Sequence, residues 1–139
     1  MRSRPYYIFV IIILSCLFLS CEEEEKPTGP SDTSIKINIP TTRLDWGVIV
    51  YGQAIDKTYS FTCDISSRDR LRGSVTISGN GFYLVNGSGS YAIDPGAART
   101  VKVRFLPDRK GSFTGTLTIN HNGENKSSPL SIILTGSAN

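Results

Sequence analysis

The sequence predicts an all-β fold, a sandwich of two sheets, and three observations lead to this prediction. From Ser34 onward, apolar and polar residues alternate with a period of two, as they do in strands with one buried and one wet face. Gly, Pro, Asn and Asp separate these runs about every ten residues. No window of helical length keeps an apolar stripe free of glycine or proline. Together these features indicate an Ig-like β-sandwich of about seven or eight antiparallel strands over residues 34–139.

Residues 1–20 have the pattern of a signal peptide. Arg2 and Arg4 form a basic start, and residues 6–19 are apolar except for Ser15. A membrane-spanning helix needs about 20 apolar residues, whereas this run is shorter and begins at the N-terminus. We therefore predict a signal peptide that is cleaved. An uncleaved membrane anchor is the alternative, and it would tether the same domain.

The residues around Cys21 predict a lipid anchor. Phe18-Leu19-Ser20-Cys21 places a small residue directly before a cysteine at the end of the apolar run. This stretch resembles the lipobox of bacterial lipoproteins, although Phe18 stands where leucine is commonest. The resemblance implies that the Cys21 thiol is acylated, with chains such as palmitate, and becomes the first residue of the mature chain. Since several acyl chains bind a bilayer stably where one binds reversibly, we expect firm attachment to the membrane.

Residues 21–33 are predicted to form a linker. Four glutamates follow Cys21, and two prolines and a glycine come after them. A block of like charge is solvated and extended, so it can act simply as a spacer. It also resembles the signal that sends lipoproteins of some Gram-negative bacteria to the cell surface. We therefore expect a lipid-anchored protein of the outer membrane, at the cell surface or on the periplasmic face.

Cys63 is predicted to be buried and unpaired. It lies between Phe61 and Ile65 on the side of its strand that we expect to face the core. Because Cys16 leaves with the signal peptide and Cys21 is acylated, no second thiol remains for a disulfide. We interpret Cys63 as a small buried apolar residue. This excludes an Ig domain of the antibody type, which has a disulfide between its sheets.

Six short motifs occur in an order that indicates a family. They are LDWGVIVYG at 44–52, VTISGNGF at 75–82, IDPG at 93–96, TVKVRFLP at 100–107, GSFTGTLTI at 111–119 and IILTG at 132–136. Over about residues 43–137 they resemble the ASH/Hydin-type Ig-like domains, relatives of the major sperm protein fold. Trp46, in the first motif, is expected to anchor the core with its indole N–H bonded to a carbonyl. The sequence departs from the family at residues 64–72, a longer and charged insert.

Residues that could support catalysis or hold a metal are sparse. His121, the single histidine, falls at a strand end, where we expect it to contact the adjoining turn. Asp64 and Asp69 are the one close acidic pair of the domain, and arginines surround them. We therefore predict no enzymatic activity, no metal and no cofactor. Without residues 1–20 the chain has 13 basic and 12 acidic side chains, a net charge of +1, which excludes a strongly basic nucleic-acid binder.

The insert at residues 64–72 is the candidate site for a partner. Arg68, Arg70 and Arg72 follow one another at every second position. Arginine is favoured at interfaces and loops often carry function, although a merely solvated loop is the alternative. Residues 129–136 are predicted to form an edge strand to which a partner could add. We expect a protein-binding or scaffolding role in the bacterial cell envelope, with an envelope protein as the partner.

A carbohydrate-binding accessory lipoprotein at the cell surface is the alternative function. Serine and threonine are predicted to share a wet face on neighbouring strands, where they could accept glycan hydroxyls, although β-propensity alone also explains them. The members of this face are Ser74, Thr76, Ser78, Thr114, Thr116 and Thr118. Glycan binding would also need exposed aromatic side chains in a line, and Tyr83 and Tyr91 are the plausible candidates. Burial of both would remove the basis of this alternative.

Overall fold

Two β-sheets enclose a shared core in the part of the chain that the computed structural model describes, residues 34–139. The predicted signal peptide (residues 1–20), Cys21 and the linker of residues 21–33 lie outside the described residues. The strands, in chain order, are β1 (Ile37–Asn38), β2 (Arg43–Ile49), β3 (Ile55–Cys63), β4 (Leu71–Ser78), β5 (Phe82–Asn86), β6 (Gly89–Ile93), β7 (Ala98–Phe105), β8 (Gly111–His121) and β9 (Leu130–Ala138). Within the described part, no helix is long and apolar enough for a membrane span.

The strand order confirms the predicted Ig-like sandwich. One sheet has four strands in the order β1-β3-β7-β5, and the other has five in the order β2-β9-β8-β4-β6. The described residues thus form nine strands, where the prediction was seven or eight antiparallel ones. Near the start of the described residues the chain crosses between the sheets: β1 pairs with β3 in one sheet and β2 with β9 in the other. The β2–β9 pair is parallel, whereas antiparallel strands were predicted. Alternation of residues predicts the two faces of a strand but not its direction, so the sequence pattern did not reveal this.

The prediction that residues 129–136 form an edge strand is wrong. Strand β9 lies inside the five-stranded sheet, with β8 on one side and β2 on the other. Strand β2, the second of the described strands, lies beside β9, the last of them, so the spatial order differs from the chain order. The edges among the described strands are β1 and β5 in one sheet and β2 and β6 in the other.

An aromatic cluster fills the core between the two sheets. The ring of Phe105, which is fully buried, stacks on Phe82 at 4.8 Å and meets Phe113 edge to face at 5.5 Å. Trp46 packs against the same cluster, 5.3 Å from Phe82, and its Nε1–H donates to the carbonyl of Ile55 at 3.0 Å. The predicted role of Trp46 as a core anchor is therefore confirmed.

The strand that carries Cys63 ends sooner than predicted. Cys63 itself is 1% exposed and has no disulfide, as predicted. Ile65, which we expected in the core, is 82% exposed, because β3 ends at Cys63 and the chain turns away from the sheet. At the other end of the insert, Leu71 is fully buried and begins β4. The connecting segment is therefore residues 64–70, shorter than the predicted insert, and Arg72 belongs to a strand.

Candidate functional site

Residues 64–70, here called the arginine loop, are held in shape by the carboxylate of Asp64. Its Oδ1 accepts hydrogen bonds from the hydroxyl of Ser66 at 2.6 Å and from the backbone N–H of the same residue at 2.8 Å. Its Oδ2 accepts one from Nδ2 of Asn38 at 2.9 Å. The side-chain bonds from Ser66 and Asn38, together with the Ser66 N–H, hold the pKa of Asp64 at about 2. The carboxylate thus ties the start of the arginine loop to β1.

A second set of bonds joins the arginine loop to the residues just before β1. The hydroxyl of Ser67, a buried residue, accepts from the backbone N–H of Lys36 at 2.9 Å. The backbone N–H of Asp64 donates to the carbonyl of Lys36 at 2.9 Å, and that of Ser67 donates to the carbonyl of Asp64 at 3.0 Å. These bonds give the arginine loop a defined conformation at the end of the sandwich where the chain enters the domain.

The arginine loop presents an apolar side chain among cationic ones. Ile65 lies over the turn that contains Gly96: a Cβ added to Gly96 would be 3.4 Å from its Cδ1. Arg70 Nε lies 2.5 Å from Oδ1 of Asp94, so one predicted arginine is paired. The side chains of Arg68 and Arg72 are exposed, and the backbone N–H of Arg72 is anchored by Oδ1 of Asn122 at 2.8 Å.

Acid is expected to loosen the arginine loop through Asp64. Its folded pKa of about 2 lies below the ordinary 3.8, so the ionised form contributes stability above pH 3.8 that is lost as the pH falls toward 2. In thermal melts from pH 7 to pH 2, the melting temperature of the natural chain should therefore exceed that of Asp64→Asn by a constant margin at neutral pH. This margin should shrink below pH 4. An equal margin at pH 6 and pH 2 would contradict this role of the carboxylate.

His121 contacts the adjoining turn as predicted. It is 8% exposed, its Nδ1 accepts from the backbone N–H of Gly123 at 3.1 Å, and its Nε2 lies 3.1 Å from the carbonyl of Ser127. A neutral ring with the proton on Nε2 satisfies both bonds. Both nitrogens are therefore engaged with backbone groups, which gives the ring a structural role. Within residues 34–139, no three His, Cys, Asp or Glu side chains group as metal ligands do.

The predicted polar face exists on the five-stranded sheet, but one of its two aromatic candidates is buried. Thr76 faces Thr118 across the β4–β8 pair, as the prediction of a shared face requires. Tyr91 is 6% exposed, its hydroxyl donates to the carbonyl of Asn120 at 2.8 Å, and burial raises its pKa to about 12. Tyr83 is 51% exposed and lies in the other sheet. The pair does not form the line of aromatic side chains that a glycan site would need.

A shallow depression of about 290 Å³ lies where β2, β8 and β9 meet. Arg43, Asp45 and Thr135 are among the residues that line it. Asp45 Oδ1 accepts from the backbone N–H of Gly47 at 3.0 Å and from the Thr135 hydroxyl at 2.9 Å, and these bonds lower the pKa of Asp45. The carboxylate of Asp45 thus stabilises the bulge of β2 between Asp45 and Val48. This depression is a structural feature of the bulge.

Sequence reasoning located the arginines but missed Ile65. In the sequence, the alternation of apolar and polar residues from Tyr59 through Cys63 continues to Ile65, and this pattern predicted that Ile65 lies in the core. A signal for the true boundary was present in Asp64 and Ser66, because an Asp followed two residues later by a serine N–H is typical of an Asx turn. That turn ends the strand and projects Ile65 outward.

The strand order, the parallel β2–β9 pair and the aromatic core define an Ig-like sandwich of the PapD-like type. The chain belongs to the Cep192 domain 4 family, whose model matches residues 34–139. The match confirms the resemblance to ASH-type domains. No curated protein matches the chain.

Solved structures show the same fold. The ASH/PapD-like domain of human CEP192 (PapD-like domain 7) is 12% identical with a TM-score of 0.60, and the match covers 87% of this chain and 96% of that domain. A protein of unknown function from Porphyromonas gingivalis W83 is 17% identical with a TM-score of 0.61, and the match covers 81% of this chain and 51% of that one. This chain therefore spans about half the length of the bacterial neighbour. At these identities the likeness shows the fold.

A family 123 glycoside hydrolase from Clostridium perfringens is also similar to this chain, at 9% identity and a TM-score of 0.54. The match covers 76% of this chain but 27% of the hydrolase, so it concerns one part of a much longer enzyme. The family match and the ASH/PapD-like neighbour, by contrast, are to non-enzymatic domains that extend over most of this chain. At 9% identity the likeness to the hydrolase shows the fold alone.

Proposed function

We propose that this protein is a membrane-anchored, non-enzymatic binding module of the bacterial cell envelope, and that it binds a protein partner through the arginine loop and Arg72. The anchor in this proposal is the acylated Cys21, and the location is the outer membrane, at the cell surface or on its periplasmic face. ASH/PapD-like domains often serve as protein-interaction modules, which supports the binding role.

One observation carries the proposal: hydrogen bonds hold the arginine loop in a defined conformation, yet the side chain of Ile65 in this loop is 82% exposed to solvent. Binding costs less when a loop is already ordered, because fewer conformations are lost. Interfaces typically surround an apolar anchor with polar groups, and arginine is enriched in them. The chemistry that fits Ile65, Arg68 and Arg72 is a protein surface with an apolar pocket and carboxylates at its rim.

A loop variant, Ile65→Ser with Arg68→Ser and Arg72→Ser, is expected to lose the partner while keeping the fold, since all three side chains are exposed. The full chain and the variant are each isolated from detergent-solubilised membranes of the cells that make them. A protein that is isolated together with the full chain is then purified, and its binding to the full chain and to the variant is titrated. We expect the variant to bind it about tenfold or more weakly, as loss of a central interface residue usually causes.

The matched control removes the same number of apolar and cationic groups elsewhere: Val48→Ser with Arg43→Ser and Lys110→Ser, all at exposed positions. It should bind the partner as the natural chain does.

Because the chain enters the domain beside the arginine loop, an anionic membrane surface is the competing ligand. Vesicles with phosphatidylglycerol test it directly. Vesicle binding that depends on the three loop residues, with no protein captured, would overturn the proposed protein partner.

A further inference from the structure

Strand β5 is an open edge of the four-stranded sheet, whereas side chains bond backbone groups at the edge strands β1 and β2. At β1, the side chain of Asn125 bonds both backbone groups of Ile37, accepting at 2.9 Å and donating at 3.0 Å. At β2, Nζ of Lys57 donates to the carbonyl of Asp45 at 2.5 Å. Side chains thus bond backbone groups of Ile37 and Asp45 at these two edges. Strand β5 pairs with β7 alone among the described strands.

The hydrogen-bond alternation shows which backbone groups β5 offers. The N–H of Leu106 donates to the carbonyl of Gly81 at 2.8 Å, so these two residues form a hydrogen-bonded pair of the β5–β7 ladder. In an antiparallel ladder such pairs alternate with non-hydrogen-bonded ones. Tyr83 and Arg104 are therefore the next bonded pair, and Leu84 between them has its N–H and C=O on the free side. Leu84 precedes the bulge of this strand, which lies between Leu84 and Asn86.

The side chains next to Leu84 make this edge apolar. Tyr83 is 51% exposed and Val85 is 45% exposed, and β5 has no charged residue. Natural edge strands usually carry charge, proline or a bulge that prevents pairing with another chain, and of these β5 has only the bulge beyond Leu84. Arg104, which lies opposite Tyr83 in the β5–β7 ladder, is paired, because it makes two bonds to the carboxylate of Asp56, at 2.8 and 3.0 Å. The cation opposite Tyr83 is therefore paired with a carboxylate, while Lys102 lies opposite Asn86, beyond the bulge.

We propose that β5 pairs with β5 of a second copy of this chain, antiparallel about a two-fold axis at Leu84. The two copies of Leu84 then exchange two hydrogen bonds, and the two four-stranded sheets join into one. On the outer face, Tyr83 of each copy covers Val85 of the other. An aromatic residue opposite a β-branched one is a favourable cross-strand pair. The edge is thus complementary to itself, as a two-fold interface requires.

The contact is small and therefore weak. A five-residue edge buries less than the roughly 1,200–2,000 Å² of a stable interface, so self-pairing depends on local concentration. The β5 edge shares no residue with the arginine loop. Its test consequently does not depend on the proposed partner.

The test is a disulfide between two differently tagged full-length chains made in the same cells, one with Tyr83→Cys and the other with Val85→Cys. In the proposed register these positions face each other with Cα atoms about 4.5 Å apart, within disulfide reach. Two copies of Tyr83→Cys are instead offset diagonally by about 7–8 Å. With a mild oxidant added to intact cells, we expect the mixed pair to cross-link about fivefold more than either variant alone.

The control pair is Ile133→Cys with Val48→Cys, in which both positions are at least as exposed as those of the test pair but lie in the other sheet. The natural chain measures any background from its own cysteines. Cross-linking of the mixed pair no greater than that of the single variants or of the control pair would overturn the proposal. A disulfide mainly to a different protein would overturn it too, because the edge would then have another occupant.

Discussion

Replacing Gly73 with alanine is expected to destabilise the domain by more than about 4 kcal/mol, a large part of the total stability of a domain this size. Gly73 lies in β4, paired with His121 of β8 on one side and Tyr91 of β6 on the other. A Cβ placed there would lie 1.8 Å from the carbonyl oxygen of Asn120 and 2.8 Å from the Tyr91 hydroxyl. Because Asn120 contributes a backbone atom, the strands themselves would have to separate.

The Gly73→Ala chain should be found mainly in aggregates or, if it folds, should unfold at much lower urea. The measurement is urea denaturation followed by tryptophan fluorescence, since Trp46 is the single tryptophan and lies in the core. Thr76→Ala is the control, because Thr76 is an exposed residue of the same strand. It should change the free energy of unfolding by about 0.5 kcal/mol or less. A Gly73→Ala chain as stable as this control would show that the close approach of β4 and β8 is not needed.

Replacing Phe105 with alanine is expected to lower the free energy of unfolding by about 3–5 kcal/mol. Phe105 is fully buried and contacts three aromatic rings, those of Phe82, Phe113 and Trp46. Its ring also lies against Gly136 of β9, where an added Cβ would be 2.6 Å from the ring. The side chain therefore joins the two sheets, and its removal leaves a cavity that the β-ladders prevent from closing.

Urea unfolding and near-ultraviolet circular dichroism measure this effect. The aromatic dichroism of the cluster should fall because the packing of Trp46 changes. Leu106→Ala is the control: its side chain is adjacent in sequence but 37% exposed, so the expected loss is less than about 1 kcal/mol. Equal losses for the two variants would contradict the central position of Phe105.

The fold was predictable because alternation is a local property that burial enforces. In β7, Val101, Val103 and Phe105 face the core, and all three are fully buried as their spacing predicts. A shift of one residue would expose every one of them, so the register is strongly specified. The candidate site was predictable in part: the arginines stand out in the sequence, but the exposure of Ile65 depends on the turn at Asp64.

The arrangement of strands was less predictable, since it depends on contacts between residues far apart in the chain. Strand β9 was expected at an edge, yet β2 lies parallel beside it, with Arg43 opposite Ile133. Nothing in the local pattern of β9 reveals this neighbour. A strand that pairs with one neighbouring strand and a strand that pairs with two show the same alternation of side chains.

By itself, the sequence determined that residues 34–139 form an Ig-like sandwich, that Trp46 and Cys63 belong to its core, and that an arginine-bearing insert joins two strands. These are consequences of composition, periodicity and turn residues, which act over a few neighbouring positions. Only the tertiary structure decided that β9 lies inside its sheet, beside β2, and that β5 is left with an open edge at Leu84. Both depend on which backbone groups already have partners, and that is settled only when distant strands have paired.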